Sequence, residues 1–366
     1  MKKHYILLTL TVLFLSIFIA CSDNDDEYTP VSPVVVDLTL VPYPKLSDYH
    51  FFEGDMTEQN PSLNVIPYEP ASSLFTDYAS KKRFIWMPEG VKANYVADNK
   101  ILDFPVGTVL IKTFYYTTIQ PDDSKQMIET RLMIRHEDGW HFYEYLWNDE
   151  QTDADLVIGT DFVNGSSKTI TFKKPNNEIV TTDYRIPSDA ECFACHKINE
   201  VATPIGVKPQ NLNHNFTFSN GSQNQLAKLV QQGYLTSYPS SITSTIDYHD
   251  ASQPLDLRVR SYIDANCAHC HQDEARCYYR PVRFPFSQTN VDSNIGICLT
   301  ADEPVGANPV LTKVVSPGNY SKSIIHYRIS TNEESERMPL LGRTIVHDEG
   351  VELIEEWISS LTQTCN

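Results

Sequence analysis

The chain has 366 residues, with 29 basic and 47 acidic side chains and a formal net charge of −18. This length is sufficient for two or three packed domains, and a hydrophobic fraction of 41% can supply their cores. The acidic balance excludes nucleic acid as an expected partner and favours a basic surface patch on another protein.

The N-terminus has the pattern of an export signal. Lys2 and Lys3 precede an apolar run over 6–19, which is too short to span a membrane and ends just before Cys21. A small residue followed by cysteine resembles the cleavage point of bacterial lipoproteins, so we expect a signal peptide over 1–20 and lipidation of Cys21. The alternative is ordinary secretory cleavage near Ala20, with Cys21 incidental. The acidic, Pro-rich residues 21–50 are predicted to form a tether, whose start resembles the surface-export signal of Bacteroidota lipoproteins.

Residues 51–186 are predicted to form an antiparallel β-rich domain, either a sandwich or a small barrel. Runs of β-branched and aromatic residues predict strands at 108–116, 129–135 and 140–147, with a hairpin turn over 137–139. A second hairpin is predicted over 168–182. The aromatic residues of this region could line a ligand surface, but we expect them in the core. They are Trp140, Tyr143, Tyr145 and Trp147.

Two five-residue words carry the strongest chemical signal, CFACH over 192–196 and CAHCH over 267–271. Each is Cys-x-x-Cys-His, the pattern for covalent attachment of a c-type haem. Two thiols one helical turn apart can form thioethers with the vinyl groups of one porphyrin, and the following histidine then binds the iron. A redox dithiol or half of a zinc site is the competing interpretation, but neither requires that histidine. We therefore predict that haem 1 is held by Cys192, Cys195 and His196, and haem 2 by Cys267, Cys270 and His271.

The chain after Pro187 is predicted to be mainly helical. Ser188 and Glu191 form a capping-box pattern that starts a helix just before the first word. Residues 257–263 predict an amphipathic helix that leads into the second word, and residues 348–361 predict a C-terminal helix with one apolar face. We therefore expect an α+β multidomain protein. In it, the β-rich domain precedes a haem 1 segment over 187–253 and a cytochrome c-like haem 2 domain over 254–366.

The sixth ligand of haem 2 is predicted to be Met338. This methionine precedes Pro339 and the C-terminal helix, and the segment resembles the one in which small c-type cytochromes place a methionine ligand. A thioether favours Fe(II) and raises the potential, which suits electron transfer. The alternative is that Met338 only fills core.

The sixth ligand of haem 1 stays open, because no methionine lies between the two words. His214 is equally consistent with an iron ligand and with a surface residue, and a five-coordinate iron is a further option. The segment 209–212 resembles the Pro-x-x-Leu turn of small cytochromes, which implies that the Pro209 carbonyl orients His196. His269 is expected at the solvent edge.

Three cysteines have neither a haem nor a lipid role in this interpretation. Exported thiols tend to pair, and we expect a disulfide between Cys277 and Cys298, which closes a loop of about twenty residues. Cys365 is then unpaired.

Several segments resemble a family of bacterial dihaem c-type cytochromes, over about residues 48 to 360. They are LFTDYA at 74–79, RFIW at 83–86, FPVGTV at 104–109, ETRL at 129–132, WNDEQTDA at 147–154, PIG at 204–206, DANCAHCH at 264–271 and RMPLLGR at 337–343. Related cytochrome segments are fused to quinone-dependent sugar dehydrogenases, which implies a role in accepting electrons from an oxidation. Because this sequence contains no dehydrogenase domain, the resemblance implies that the donor is a separate protein.

The sequence thus predicts an exported, lipid-anchored dihaem cytochrome that transfers electrons between a donor and an acceptor at the cell envelope. As an outer-membrane lipoprotein, it would face either the periplasm or the cell surface. One alternative is a dihaem peroxidase-like enzyme with an open haem 1. Another is a haem-bearing sensor or glycan-binding surface lipoprotein that uses the aromatic residues of the β-rich domain.

Overall fold

The computed structural model describes residues 31–303, 305 and 309–365. The predicted signal peptide and Cys21 lie outside these residues, as does the first part of the tether. From Pro33 onward, the described residues form one compact unit. Antiparallel sheets and helices both contribute to it, which confirms the α+β class. Among the described residues, no helix has the length and apolarity needed to span a bilayer.

The described residues contain fourteen strands and eight α-helices. The strands are β1 Phe52–Glu53, β2 Asn60–Pro61, β3 Ile66–Pro67, β4 Ser80–Trp86, β5 Val109–Ile119, β6 Ser124–His136, β7 Gly139–Trp147, β8 Ala154–Leu156, β9 Ser166–Lys173, β10 Ile179–Ile186, β11 Lys197–Ile198, β12 Val201–Ala202, β13 Asn215–Phe218 and β14 Gly221–Asn224. The helices are α1 Gly159–Asn164, α2 Asp189–Cys195, α3 Pro209–Leu212, α4 Gln225–Gln231, α5 Leu255–Asn266, α6 Asp292–Ile295, α7 Ile324–Ser330 and α8 Asp348–Ser360. Short 3-10 helices lie at Leu46–Tyr49 and Tyr320–Lys322.

One eight-stranded antiparallel sheet dominates the N-terminal half. Its order is β10-β9-β5-β6-β7-β8, and β4 pairs with both β3 and β5. Within the described chain, this sheet does not close into a barrel. In the strand register, β5 pairs with β9 through Ile119 and Phe172 alone, so β4 and β9 occupy different stretches of the same edge of β5.

The predicted strands form where β-branched and aromatic residues are concentrated. The hairpin over 137–139 is confirmed, because His136 pairs with Gly139 across a two-residue turn. The hairpin over 168–182 is confirmed as β9 and β10. Side chains alternate between the two faces of β5, with Val109 and Ile111 on one face and Leu110 on the other.

Each face of the sheet packs against a different part of the chain. One face packs against the N-terminal segment, where Leu46 and Tyr49 are fully buried. The prediction of a tether over 21–50 is therefore wrong for the last part of that range, because the apolar side chains there belong to the core. The other face packs against residues from the predicted haem 1 segment, including Val207, Leu226 and Leu235.

A further apolar cluster lies in the C-terminal third of the chain. Val259 and Ile263 of α5 pack in it with Ile354 and Trp357 of α8, so the helix before the second word contacts the C-terminal helix. The predicted amphipathic character of α8 explains this contact, because its apolar face can be buried only against another element.

The predicted Cys277–Cys298 disulfide is wrong. Cys298 pairs instead with Cys365, whose Cα atom lies 5.2 Å from that of Cys298, while Cys277 is a free thiol. The prediction was based on loop length alone, which favoured Cys277 because it is closer than Cys365 to Cys298 in the sequence. The chain after α8 returns to Cys298, however, and the backbone N–H of Cys277 donates to the carbonyl of Cys270.

The Cys298–Cys365 disulfide should contribute strongly to stability, because its partners are 67 residues apart. Replacing both with serine is expected to lower the free energy of unfolding by about 2–5 kcal/mol, measured by denaturant unfolding. The control, Cys277→Ser, removes a free thiol and should change it by less than about 1 kcal/mol. A peptide linking Cys277 to Cys298 in a non-reduced digest would contradict the observed pairing.

Candidate functional site

The fold brings the two Cys-x-x-Cys-His words into contact. The first word begins inside α2 and ends with His196 just after it, and the second follows directly after α5. The Sγ atoms of Cys195 and Cys270 and a ring nitrogen of His269 all lie within 4.8 Å of one another. Two segments more than seventy residues apart in the chain therefore form one cluster.

The local structure at the first word agrees with the capping prediction. Ser188 Oγ accepts a hydrogen bond from the N–H of Glu191 at 3.2 Å, and the Glu191 carboxylate accepts one from the N–H of Ser188 at 2.8 Å. This capping box starts α2 one turn before Cys192. The helix then carries Cys192 and Cys195 into the wall of a cavity.

The ring of His196 is oriented by the carbonyl of Thr203, not of Pro209. His196 Nδ1 lies 3.2 Å from that carbonyl oxygen, so an Nδ1–H donor leaves Nε2 available to a metal. The Pro209 carbonyl instead accepts from the N–H of Asn213, and the expected role of Pro209 is wrong. The β11–β12 turn returns the chain to His196, which sequence spacing did not indicate. Burial lowers the pKa of His196 to about 3, so the ring is neutral, as metal ligation requires.

The second word lines a cavity of about 190 Å³, here called cavity A. Cys267, Cys270 and His271 lie on its wall together with Met338. The His271 ring packs edge-on against Phe284, with a centroid distance of 5.3 Å. Its Nδ1 is buried without a hydrogen-bond partner among the described residues, and burial lowers its pKa to about 4.

Buried Arg343 holds the loop that carries Met338. Its Nε donates to the Met338 carbonyl at 2.9 Å, and its Nη2 donates to the carbonyls of Arg328 and Thr331. The N–H of Met338 also donates to the Arg328 carbonyl at 2.8 Å. These bonds join the loop to α7 and keep the Met338 side chain at cavity A.

The first word lines a larger cavity of about 580 Å³, here called cavity B. Its opposite boundary includes one face of the main sheet. On this face Arg83, Lys112, Arg131 and Glu144 are direct neighbours across β4, β5, β6 and β7. The ring of Phe142, one row further along β7, lies edge-on to the His196 ring with centroids 5.4 Å apart.

A buried charge network supports that row. Arg131 forms an ion pair with Glu129, which is fully buried and accepts a hydrogen bond from the Tyr184 hydroxyl at 2.6 Å. Burial raises the pKa of Glu129, but the charge of Arg131 and the hydrogen bonds from Glu144, Arg131 and Tyr184 together outweigh this effect and keep the pKa below its usual value. Burial and the neighbouring Glu129 raise the pKa of Glu144 to about 10, so Glu144 is a protonated acid at the cavity wall.

Two histidines lie elsewhere than expected. The ring nitrogens of His214 contact the carbonyls of Asn215 and Glu69, at 3.1 and 2.9 Å, and His214 lines neither cavity. A ligand role for His214 is therefore not supported. His269 is not a solvent-edge residue, because it lies between the two words and its Nδ1 is buried.

The donor set fits a covalent haem at each word. The thiols of Cys192, Cys195, Cys267 and Cys270 are free, and each pair lies at a cavity with a neutral histidine. A metal ion held by Cys195, His269 and Cys270 is the competing interpretation. It would use one cysteine from each word and would supply only three of the four ligands that a structural zinc site needs.

Sequence reasoning missed the charged row of cavity B. Lys112, Arg131 and Glu144 interrupt otherwise apolar strands at positions that pair across the sheet. Charged residues within apolar strands were the available signal, but only the strand register shows that these residues lie side by side.

No match to this chain is found among protein-family models, curated proteins or solved structures. The resemblance to dihaem cytochromes therefore depends on the residues described above.

Removing Arg131 should destabilise the protein. Arg131→Met is expected to lower the free energy of unfolding by about 3–5 kcal/mol, because buried Glu129 loses its ion-pair partner. Arg135→Met on the same strand is the control, since Arg135 forms no ion pair with any described residue, and its effect should be below about 1 kcal/mol. Equal losses in the two variants, measured by denaturant unfolding, would contradict this role.

Proposed function

We propose that the chain is an exported, lipid-anchored dihaem c-type cytochrome that transfers electrons between redox proteins at the cell envelope. The observation that carries the proposal is the contact between the two words, each at its own cavity. Two independent haem sites would gain nothing from this contact, whereas a two-centre electron relay is faster when its centres lie close together.

Each haem would be held by one word. Cys192, Cys195 and His196 would hold haem 1 in cavity B, and Cys267, Cys270 and His271 would hold haem 2 in cavity A. When bound, the two haems supply reversible one-electron chemistry. The protein contributes the covalent attachment and the neutral histidines. The Thr203 carbonyl would also increase the basicity of His196 by accepting its Nδ1 proton.

The relay would pass through the cluster of Cys195, His269 and Cys270. Because Cys195 would belong to haem 1 and Cys270 to haem 2, the distance between their sulfur atoms limits the separation of the two porphyrin edges. The half-buried His269 ring lies in the same space. Short separations of this kind allow fast exchange of electrons between two centres.

The proposal also includes redox partner proteins and a lipid anchor. With a net charge of −18, the chain would attract a basic patch on a donor or acceptor, such as a separate dehydrogenase. Lipidated Cys21 would hold the protein to a membrane, in an orientation facing the periplasm or the cell surface.

A dihaem peroxidase-like enzyme is the second candidate. Protonated Glu144 and the Arg131 guanidinium at cavity B favour it, because an acid and a cation in the cavity that would hold haem 1 could transfer a proton to a peroxide substrate and stabilise its negative charge. A glycan-binding protein has less support. Trp140, Tyr145 and Trp147 are 8%, 0% and 2% exposed, so three of the four proposed aromatic contacts are in the core.

Haem stoichiometry tests the proposal directly. The intact mature protein should have the mass of the polypeptide plus two haems, measured under denaturing conditions that retain only covalent groups. The double variant Cys267→Ala, Cys270→Ala should retain one haem, and so should Cys192→Ala, Cys195→Ala. The control Cys277→Ser should retain both. An unaltered protein with no covalent haem, or with a stoichiometric zinc ion instead, would overturn the proposal.

Met338 is expected to bind the iron of haem 2. Met338→Leu removes the sulfur with little change in volume, so it should lower the potential of one haem and allow that haem to bind carbon monoxide. Met127→Leu is the control, because Met127 is fully buried but lines neither cavity A nor cavity B. A redox titration that is the same for Met338→Leu and the unaltered protein would exclude the ligand role.

A further inference from the structure

The sheet wall of cavity B carries one cation that differs from its neighbours. Arg83, Lys112 and Arg131 are direct Cα partners on adjacent strands, so three basic side chains lie side by side. Like charges in this arrangement are destabilising unless they are paired or one of them is neutral. The ion pairs and hydrogen bonds of the three side chains therefore indicate which of them is the one without a compensating partner.

The two arginines have polar partners. Arg83 donates to Ser73 Oγ at 2.8 Å and lies 3.9 Å from Glu69, and Arg131 is paired with Glu129. Lys112 has no ion pair and no side-chain hydrogen bond with the described residues. Its Nζ atom lies 4.8 Å from the centroid of the Phe114 ring, and Lys112 is one of the residues that line cavity B.

The surroundings of Lys112 favour the neutral amine. Burial, and then the charges of Arg83, Lys81 and Arg131, hold its pKa well below the usual value. Arginine cannot lose its proton in this way, whereas a buried lysine can. A neutral amine has a lone pair that can bind a metal.

We propose that Lys112 Nζ is the sixth ligand of the haem 1 iron. This inference depends on the proposed dihaem function. Lys112 and His196 line the same cavity, and the sheet face that carries Lys112 is the one against which the His196 ring packs through Phe142. Among the described residues, Lys112 has no ion pair and no side-chain hydrogen bond that would compete with the iron for its amine.

Among the side chains of this face that line cavity B, Met133 and Glu144 are the others with atoms that can bind iron. Met133 is 8% exposed and belongs to the apolar cluster with Leu110 and Trp140, so packing already accounts for it. Glu144 is protonated and lies 3.5 Å from Arg131. Lys112, in contrast, forms no ion pair with a described residue and does not belong to that apolar cluster.

An amine ligand has two functional consequences. Haem 1 would be six-coordinate, which excludes substrate binding at its iron and disfavours the peroxidase-like alternative. A nitrogen donor also favours Fe(III) relative to a thioether, so haem 1 would have a lower potential than haem 2. Electrons would then enter at haem 1 and leave from haem 2.

The spin state of the oxidised protein, measured by electron paramagnetic resonance, tests the ligand. In the unaltered protein both haems should be low-spin, and near-infrared magnetic circular dichroism should show the band of a histidine–amine pair for one haem. In Lys112→Ala, half of the haem should become high-spin and should bind carbon monoxide after reduction. Lys112→Arg should behave like Lys112→Ala, because arginine retains the charge but cannot bind iron.

Matched variants separate the ligand role from other roles. Lys112→Met should restore a low-spin haem 1 with a raised potential, while Lys81→Ala should leave the spectrum unchanged because Lys81 does not border cavity B. A high-spin haem in the unaltered protein would overturn the proposal. So would a Lys112→Arg variant with an unchanged spectrum, or a high-spin signal produced by Met133→Leu instead.

The haem content, measured by mass, distinguishes failure of the proposed dihaem function from failure of Lys112 as a ligand. Fewer than two haems in the unaltered protein refutes the dihaem function, whereas two haems without amine ligation refutes only Lys112. If a variant does not acquire haem 1, the dichroism of the unaltered protein still decides the question.

Discussion

The hydrogen bonds of Asp264 hold together the segments that form the candidate site. This buried carboxylate lies on α5, three residues before Cys267, and accepts from the N–H of Phe286 at 2.9 Å and from Gln210 Nε2 at 3.3 Å. Lys208 Nζ lies 3.7 Å away. Asp264 thereby connects the helix of the second word to the segment after the first word and to the loop behind His271. This junction supports the contact between Cys195 and Cys270, as does the hydrogen bond from the N–H of Asn199 to the carbonyl of Glu274 at 3.0 Å.

A second buried carboxylate attaches the Met338 loop to the β-rich part of the protein. Asp77 accepts hydrogen bonds from the N–H groups of Thr344 and Ile345, at 2.7 and 3.1 Å, and from the Thr344 hydroxyl at 2.8 Å. Burial raises the pKa of Asp77, while these hydrogen bonds oppose that effect. Since the two carboxylates each join segments far apart in the chain, losing either would cost more than one local hydrogen bond. The β-rich part is therefore a scaffold for both cavities.

Local features of the site could be predicted from the sequence, whereas features that depend on distant pairing could not. The Ser188–Glu191 capping box, the turn before Gly139 and the amphipathic helix α8 each depend on residues within one or two turns. The Cys298–Cys365 disulfide and the orientation of His196 by Thr203 depend on where the chain returns. The position of His269 between the words has the same origin. Composition and local spacing carry no information about which distant segments of the chain will contact each other.

The two cavities differ in a way that gives the proposed relay a direction. Cavity A is bounded mainly by apolar side chains and offers a thioether, Met338, whereas the sheet wall of cavity B carries Lys112, Arg131 and Glu144. A soft neutral ligand in an apolar cavity stabilises the reduced iron, and nitrogen donors stabilise the oxidised iron. In the proposed relay the sheet would therefore do more than support haem 1, because its charged row would determine the potential of that centre. Two words with the same Cys-x-x-Cys-His pattern could in this way perform unequal roles, with the asymmetry supplied by strands that lie far from either word in sequence.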